Sequence, residues 1–397
     1  INTGAVMNYA FGDTTKGDYA YESAPNSTDL TWETVITKNI GLDLGFLNNR
    51  LNVSFDAYIR DTKDMLMAGK TLPGVYGASS PRMNVADLRT KGWEASVTWG
   101  DSFTLASKPF NYRIMAGIGD NTSKVTKYDN PNRTLTDPYE GQQLGEIWGY
   151  VVDGYFKTDE EARNYKVDQS FVNQMINASA LDNGLHAGDL KFVDLDGNNK
   201  IEQTTSANDR KDMKVIGNSL PRYNYNFGIS ADWYGIDFSV LFQGIGKQNW
   251  YPGAETSMFW GPYSRPYASF IPSDFMSQVW SEENTNAYFP RPRGYVALGS
   301  NRELAVVNTK YLQNLAYCRL KNLSIGYTLP DKWLSKIGFE KIRVYFSGEN
   351  LLTFTKLHSD YIDPEQASAS NSWKTSKSDA NIYPWAKTYS FGVDITF

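Results

Sequence analysis

One cysteine and two histidines are all that this chain of 397 residues offers to thiol or imidazole chemistry. Cys318 has no partner, so no internal disulfide can form and the redox compartment cannot be read from it. His186 and His358 leave little for a histidine-based metal cage or a catalytic triad. Nucleophile elbow, P-loop, CxxC and HExxH motifs are missing, and an enzyme is the class least favoured. Two carboxylates can always be matched somewhere among 44 acids, so no glycosidase is read from them. A basic excess is also missing: the net charge is −5, so no basic field argues for a nucleic-acid partner, and none is expected. With a mean hydropathy of −0.48 and no apolar run of about 18 residues, a transmembrane helix is excluded. No leader stands at the start, where Ile1-Asn2-Thr3-Gly4 reads as mid-protein sequence. The expectation is therefore a piece of something longer.

Aromatics are abundant instead: 26 Tyr, 20 Phe and 11 Trp. The end of the chain shows how they are arranged. Tyr389, Phe391, Val393, Ile395 and Phe397 alternate with Ser390, Gly392, Asp394 and Thr396. Side chains of a strand point to opposite faces in turn, so this strand has one apolar and one polar face. Such a face packs on a second sheet in a soluble sandwich, or meets lipid in a barrel whose lumen is wet.

The same period of two recurs along the chain. It appears in Ile40–Phe46, Leu51–Ile59, Trp93–Trp99, Tyr112–Ile118, Tyr223–Trp233, Ile236–Phe242, Leu323–Leu329 and Ile342–Phe346. Short turns at 48–49, 100–109, 234–235 and 330–340 alternate with long loops at 62–86, 158–220, 249–303 and 355–386. That one-sidedness marks outer-membrane barrels, whose periplasmic turns are short and extracellular loops long. The expected fold is all-β, a transmembrane antiparallel β-barrel. One parity problem arises: three candidate strands, 110–127, 144–156 and 221–233, lie where an even number must span. Either 144–156 does not span or a strand is missed, so nine or eleven strands are expected. A sheet of that size cannot sit open in lipid.

Several stretches together resemble the C-terminal half of the SusC-like (SusC/RagA-type) TonB-dependent outer-membrane transporters of Bacteroidetes. They include Asp29-Leu30-Thr31-Trp32-Glu33, Asn39-Ile40-Gly41-Leu42-Asp43, Gly92-Trp93-Glu94, Gly188-Asp189-Leu190-Lys191-Phe192, the run from Ile216 to Tyr223, the run from Arg319 to Pro330, and Gly348-Glu349-Asn350-Leu351. The resemblance covers the chain from about residue 29 to Phe397. It implies that residues 1–397 are the C-terminal part of one 22-strand barrel domain, with the plug and the TonB-contacting segment outside this chain. It further implies import of oligosaccharides, or less often peptides, in the bacterial outer membrane, energised through TonB with a SusD-like surface lipoprotein over the mouth. Phe397 then resembles the C-terminal aromatic by which barrel-assembly machinery recognises its clients. The rival from another class is a soluble, carbohydrate-binding β-sandwich or adhesin.

Three groups of residues carry candidate chemistry. Asp194, Asp196 and Asn198 stand at positions 1, 3 and 5 of a calcium-type turn, with Ile201 at position 8. Asn199 replaces the usual glycine and Thr205 the closing acid, so Asp209 is the expected closing ligand; a self-satisfied Asx turn is the alternative. Trp250, Tyr251, Phe259, Trp260, Tyr263 and Tyr295 with Arg265 form an aromatic loop suited to stacking on sugars, or else to packing the loops together. Asp56, Arg60, Glu94, Arg343 and Glu349 fall on polar strand faces, as a wet lumen requires.

Overall fold

The computed structural model describes residues 2–10, 16–21, 27, 29–70, 72–76, 80–173, 184–264, 270–292, 295–299, 302–334, 338–367, 377–378 and 383–397. Nine strands form one antiparallel sheet: β1 Thr34–Phe46, β2 Leu51–Ala68, β3 Arg82–Leu105, β4 Lys108–Lys127, β5 Arg222–Trp233, β6 Ile236–Lys247, β7 Tyr317–Thr328, β8 Lys341–Thr355 and β9 Thr388–Thr396. Every strand pairs with its neighbour in this series, so β1 and β9 are the two edges. Among the described residues the sheet does not close on itself. A separate hairpin, Asn2–Ala10 with Lys16–Tyr21, precedes it. No described helix is long and apolar enough to cross a membrane, which says nothing of strands.

Register turns the alternation within strands into two continuous surfaces. Tyr112, Ala231, Phe238, Ile325, Phe346 and Phe391 stand side by side in one row across six strands. The adjacent row on the other face reads Arg113, Ser230, Ser239, Ser324, Ser347 and Ser390. The apolar rows stay exposed: Ile40, Ile229, Phe391 and Val393 all present their side chains outward. No second sheet covers them among the described residues. Near the short turns the apolar face becomes aromatic, with Phe103, Phe110, Trp233 and Tyr327 in one row.

The tight turns obey backbone sterics. Asn48 and Asn49 take φ of 58° and 62°, and Tyr234-Gly235 takes 50° and 84°. Left-handed pairs of this kind match the twist of a hairpin. The expected turn over 100–109 is shorter: β3 runs to Leu105, β4 starts at Lys108, and Ala106-Ser107 alone reverses the chain with φ of 48° and 64°.

Two boundaries differ from those expected from sequence. Much of the loop expected at 62–86 is strand, since Met65 pairs with Ala86, Met67 with Met83 and Ala68 with Arg82. The ladder's backbone hydrogen bonds outlast the apolar alternation there, and a bulge with Asp64 at φ 55° interrupts the side-chain pattern. Residues 144–156 do not join the sheet. Glu146–Tyr150 instead pairs with Met213–Asn218, and Val152–Tyr155 with Leu190–Phe192, in two small sheets of their own. That resolves the parity problem at nine strands among the described residues.

The hydrophobic core lies in the loops, at the end of the sheet away from the short turns. Tyr150, Phe192, Trp250, Phe259, Phe289, Tyr311 and Leu357 belong to a single buried cluster drawn from the three long connections between strands. The long connections therefore fold together as a domain-like cap.

Candidate functional site

On the polar face, Asp56 stands opposite Glu94, and both line a shallow cavity of about 390 Å³ with Asp120, Asn224 and Asn226. Closer to the short turns, Arg343 bonds Asp237 at 2.6 and 2.8 Å and reaches Asp394 at 3.2 Å. Gly326 makes that reach possible, because a Cβ there would fall 2.6 Å from the guanidinium and 2.5 Å from the Asp237 carboxylate. These charges sit on the face that sequence periodicity assigns to a wet interior.

The aromatic loop is placed differently from a sugar platform. Trp250, Tyr251 and Trp260 are wholly buried, and Phe259 and Tyr263 nearly so. Phe259 meets Trp260 edge to face at 4.8 Å between ring centres, and Trp260 meets Tyr311 at 5.1 Å. Their polar atoms are spent inside the cap. Tyr251 Oη donates to the Leu304 carbonyl at 2.8 Å, Trp260 Nε1 to Gly253 at 2.9 Å, and Tyr263 Oη to Pro290 at 2.7 Å. Burial pushes the Tyr251 hydroxyl far above its ordinary pKa. With both faces covered, these five rings pack the loops together and offer no stacking surface. The backbone of Tyr295 lies in a short turn, Tyr295–Leu298, while its side chain and the whole of Arg265 lie outside the described residues.

The calcium-type turn is formed, but a different acid closes it. Carboxylate oxygens of Asp194, Asp196 and Asp212 lie within 4.8 Å of one another. Asp209 is not in this group; its carboxylate pairs with Lys211 at 3.5 Å. Asp212 is buried and accepts the amides of Leu195 and Glu202 at 2.8 and 2.7 Å. Burial, with Asp196 and Asp194 nearby, pushes its carboxyl above the usual range despite those amides. Asp194 accepts the amides of Gly197 and Asn199, both at 2.7 Å, so the turn is also braced from within. The oxygen donors suit a hard cation in type.

A family model described as TonB dependent receptor-like, beta-barrel matches residues 3–351. The chain belongs to the TonB-dependent receptor-like β-barrel family. Over 93% of its length it is 28% identical to the TonB-dependent receptor P3 of Formosa agariphila. Over 98% it is 24% identical to the TonB-dependent receptor SusC of Bacteroides thetaiotaomicron. It spans 34% of each of these relatives. In shape it resembles the RagAB peptide importer in its "open-open" state, with a TM-score of 0.68 at 22% identity, covering all of this chain and 38% of that one.

Two anchoring groups of this receptor-barrel chain escape sequence reading. Arg319, 2% exposed, bonds Thr353, Glu365 and Asp363 at 3.0, 2.6 and 2.6 Å, tying the last loop to β7 and β8. Asn308 donates to Tyr251 Oη at 2.8 Å and accepts from the amides of Lys310 and Tyr311. Neither residue belongs to a spacing motif; only the Asp363-Pro364-Glu365 acids hint at a basic partner.

Proposed function

We propose that this chain supplies part of the barrel wall and the extracellular cap of an outer-membrane importer energised through TonB, with a SusD-like lipoprotein as its partner. The observation that carries the reading is the nine-stranded sheet with one largely apolar face, one serine-rich and charged face, and the buried core of the long loops at one end. A wall between lipid and water needs those three features. The family match supports the same reading, as does the likeness in shape to the RagAB peptide importer. The barrel of which this is a part is proposed to have 22 strands, with the plug contributed from outside this chain.

Oligosaccharide cargo follows from the resemblance to SusC-like transporters. Peptide cargo is the second reading, and the burial of Trp250, Trp260 and Tyr263 favours it, because the rings that would have stacked on sugar are occupied. The test is uptake of fluorescent oligosaccharide and peptide pools by cells carrying the full-length transporter, with and without TonB. Uptake that stops when TonB is deleted is expected. Uptake indifferent to TonB would overturn the reading.

A further inference from the structure

A second cavity in the cap, of about 1220 Å³, has walls of an unusual chemical mixture. One wall is the chain around Lys157 and Asp159 with Ala187; the other is the segment 276–285, and Arg291 and Pro292 complete it. Met276, Val279 and Trp280 supply the apolar part of the lining. Among the described residues, Lys157, Arg291, Glu282 and Glu283 form no ion pair. The cavity is thus lined by two cations, Lys157 and Arg291, and three carboxylates; Asp159 interacts with Arg291, while Glu282 and Glu283 face the cavity without a paired cation.

Those walls are braced before any ligand arrives. Thr158 caps the short helix Asp159–Arg163 by accepting from the Glu161 amide at 3.1 Å, and Asp159 accepts the Ala187 amide at 2.9 Å. The amide of Arg291 bonds the Gly188 carbonyl at 3.0 Å, and that of Trp280 bonds Phe289 inside the core at 3.0 Å. Asn284 Nδ2 holds the opposite wall through the Ser277 carbonyl at 2.9 Å. Gly188, at φ 81°, lets Trp280 and Arg291 close on the backbone; a Cβ would lie 2.6 Å from the indole.

We propose that this cavity is a binding site for a short peptide with free ends. Lys157 and Arg291 meet its terminal carboxylate, Glu282 and Glu283 its terminal ammonium, and Trp280 with Met276 its apolar side chains. A neutral glycan carries nothing to match charges of both signs, whereas a zwitterionic chain carries both with apolar groups between them. The volume exceeds the roughly 300–1,000 Å³ of small-molecule sites, leaving room for several residues. The proposal rests on the importer reading and names the peptide branch of its cargo.

The test is calorimetric binding to the full-length transporter of penta-alanine with free ends, the same peptide acetylated and amidated, maltopentaose and pentagalacturonate. The free-ended peptide is expected to bind, and blocking both ends to weaken binding about tenfold or more. The double variant Glu282→Gln, Glu283→Gln and, separately, Lys157→Gln are each expected to weaken the free-ended peptide while leaving the blocked one unchanged. These exposed changes spare the core, and Gly188→Ala, which displaces Trp280, gives an independent perturbation expected to weaken both peptides. Equal binding of free and blocked peptide, tighter binding of either sugar, or unchanged affinity in the charge variants would overturn the proposal. TonB-dependent uptake measured in the same cells separates this failure from failure of the importer reading, since uptake of some other cargo would persist.

Discussion

At the residue scale, the chain's polar groups show which side chains hold the cap and which are free to act. The calcium-type turn was half legible. Asp194, Asp196 and Asn198 follow a fixed local spacing, which a sequence displays. The acid that joins them is Asp212, because Thr204 turns the intervening chain by bonding the carbonyls of Ser206 and Asp209, which carries Asp209 away. Asp212→Ala strands two amides in a buried place. It is expected to cost about 1–3 kcal/mol for each unsatisfied donor, read as faster amide exchange over residues 195–202. Calcium is expected to slow that exchange in the parent protein and EDTA to reverse the effect. His358 gives a second test. It stacks on Tyr288 at 3.5 Å between ring centres, and its Nε2 bonds Gln278 at 2.7 Å. Burial holds its pKa below the ordinary 6.5. Its neutral form is therefore favoured in the folded cap, so the stabilisation is present above pH 6.5 and lost as pH falls through the lowered value. Protection of the amides near residues 311–315, relative to their intrinsic exchange rates at each pH, is expected to fall below pH 6.5, and His358→Gln to flatten that dependence.

At the element scale, strands were legible and their ends were not. A strand's two faces are written in its own residues, as Tyr223–Trp233 and Thr388–Thr396 show. Where β2 and β3 continue beyond the apolar band, backbone bonds alone sustain them, and these leave no side-chain signature. The cap was illegible for another reason. Its core joins Tyr155 to Tyr311 at 2.9 Å and Tyr155 to the Tyr288 carbonyl, contacts between stretches far apart in the chain. An aromatic residue that packs such a core looks, in sequence, like one that waits for a sugar. Residues 357–367 are held because Arg319 is buried against Asp363 and Glu365. Arg319→Met leaves Asp363 without its buried cation, while Glu365 keeps only Lys321 at 2.8 Å. The expected loss is about 3–5 kcal/mol of local stability, seen as protease cleavage between residues 357 and 367 while the strands remain resistant.

At the scale of the whole molecule, the proposed function makes the sheet a boundary between two solvents, with the core of the long loops at one end. The row from Tyr112 to Phe391 and the row from Arg113 to Ser390 are neighbours in every strand yet face opposite ways. The edges β1 and β9 keep a row of backbone groups without partners among the described strands, which lipid would not tolerate. The account therefore requires further strands of the same barrel at both edges. The most direct test uses nitroxide labels at successive positions of β5 and β6 in the full-length protein in bilayers, with Cys318 replaced by serine. Collisions with oxygen, which concentrates in lipid, are compared with collisions with a water-soluble nickel chelate. Labels at Phe227, Ile229, Phe238 and Val240 should meet oxygen, and those at Gly228, Ser230 and Ser239 the chelate, in strict alternation. Chelate collisions as frequent at Ile229 and Val240 as at Ser230 and Ser239 would contradict the account.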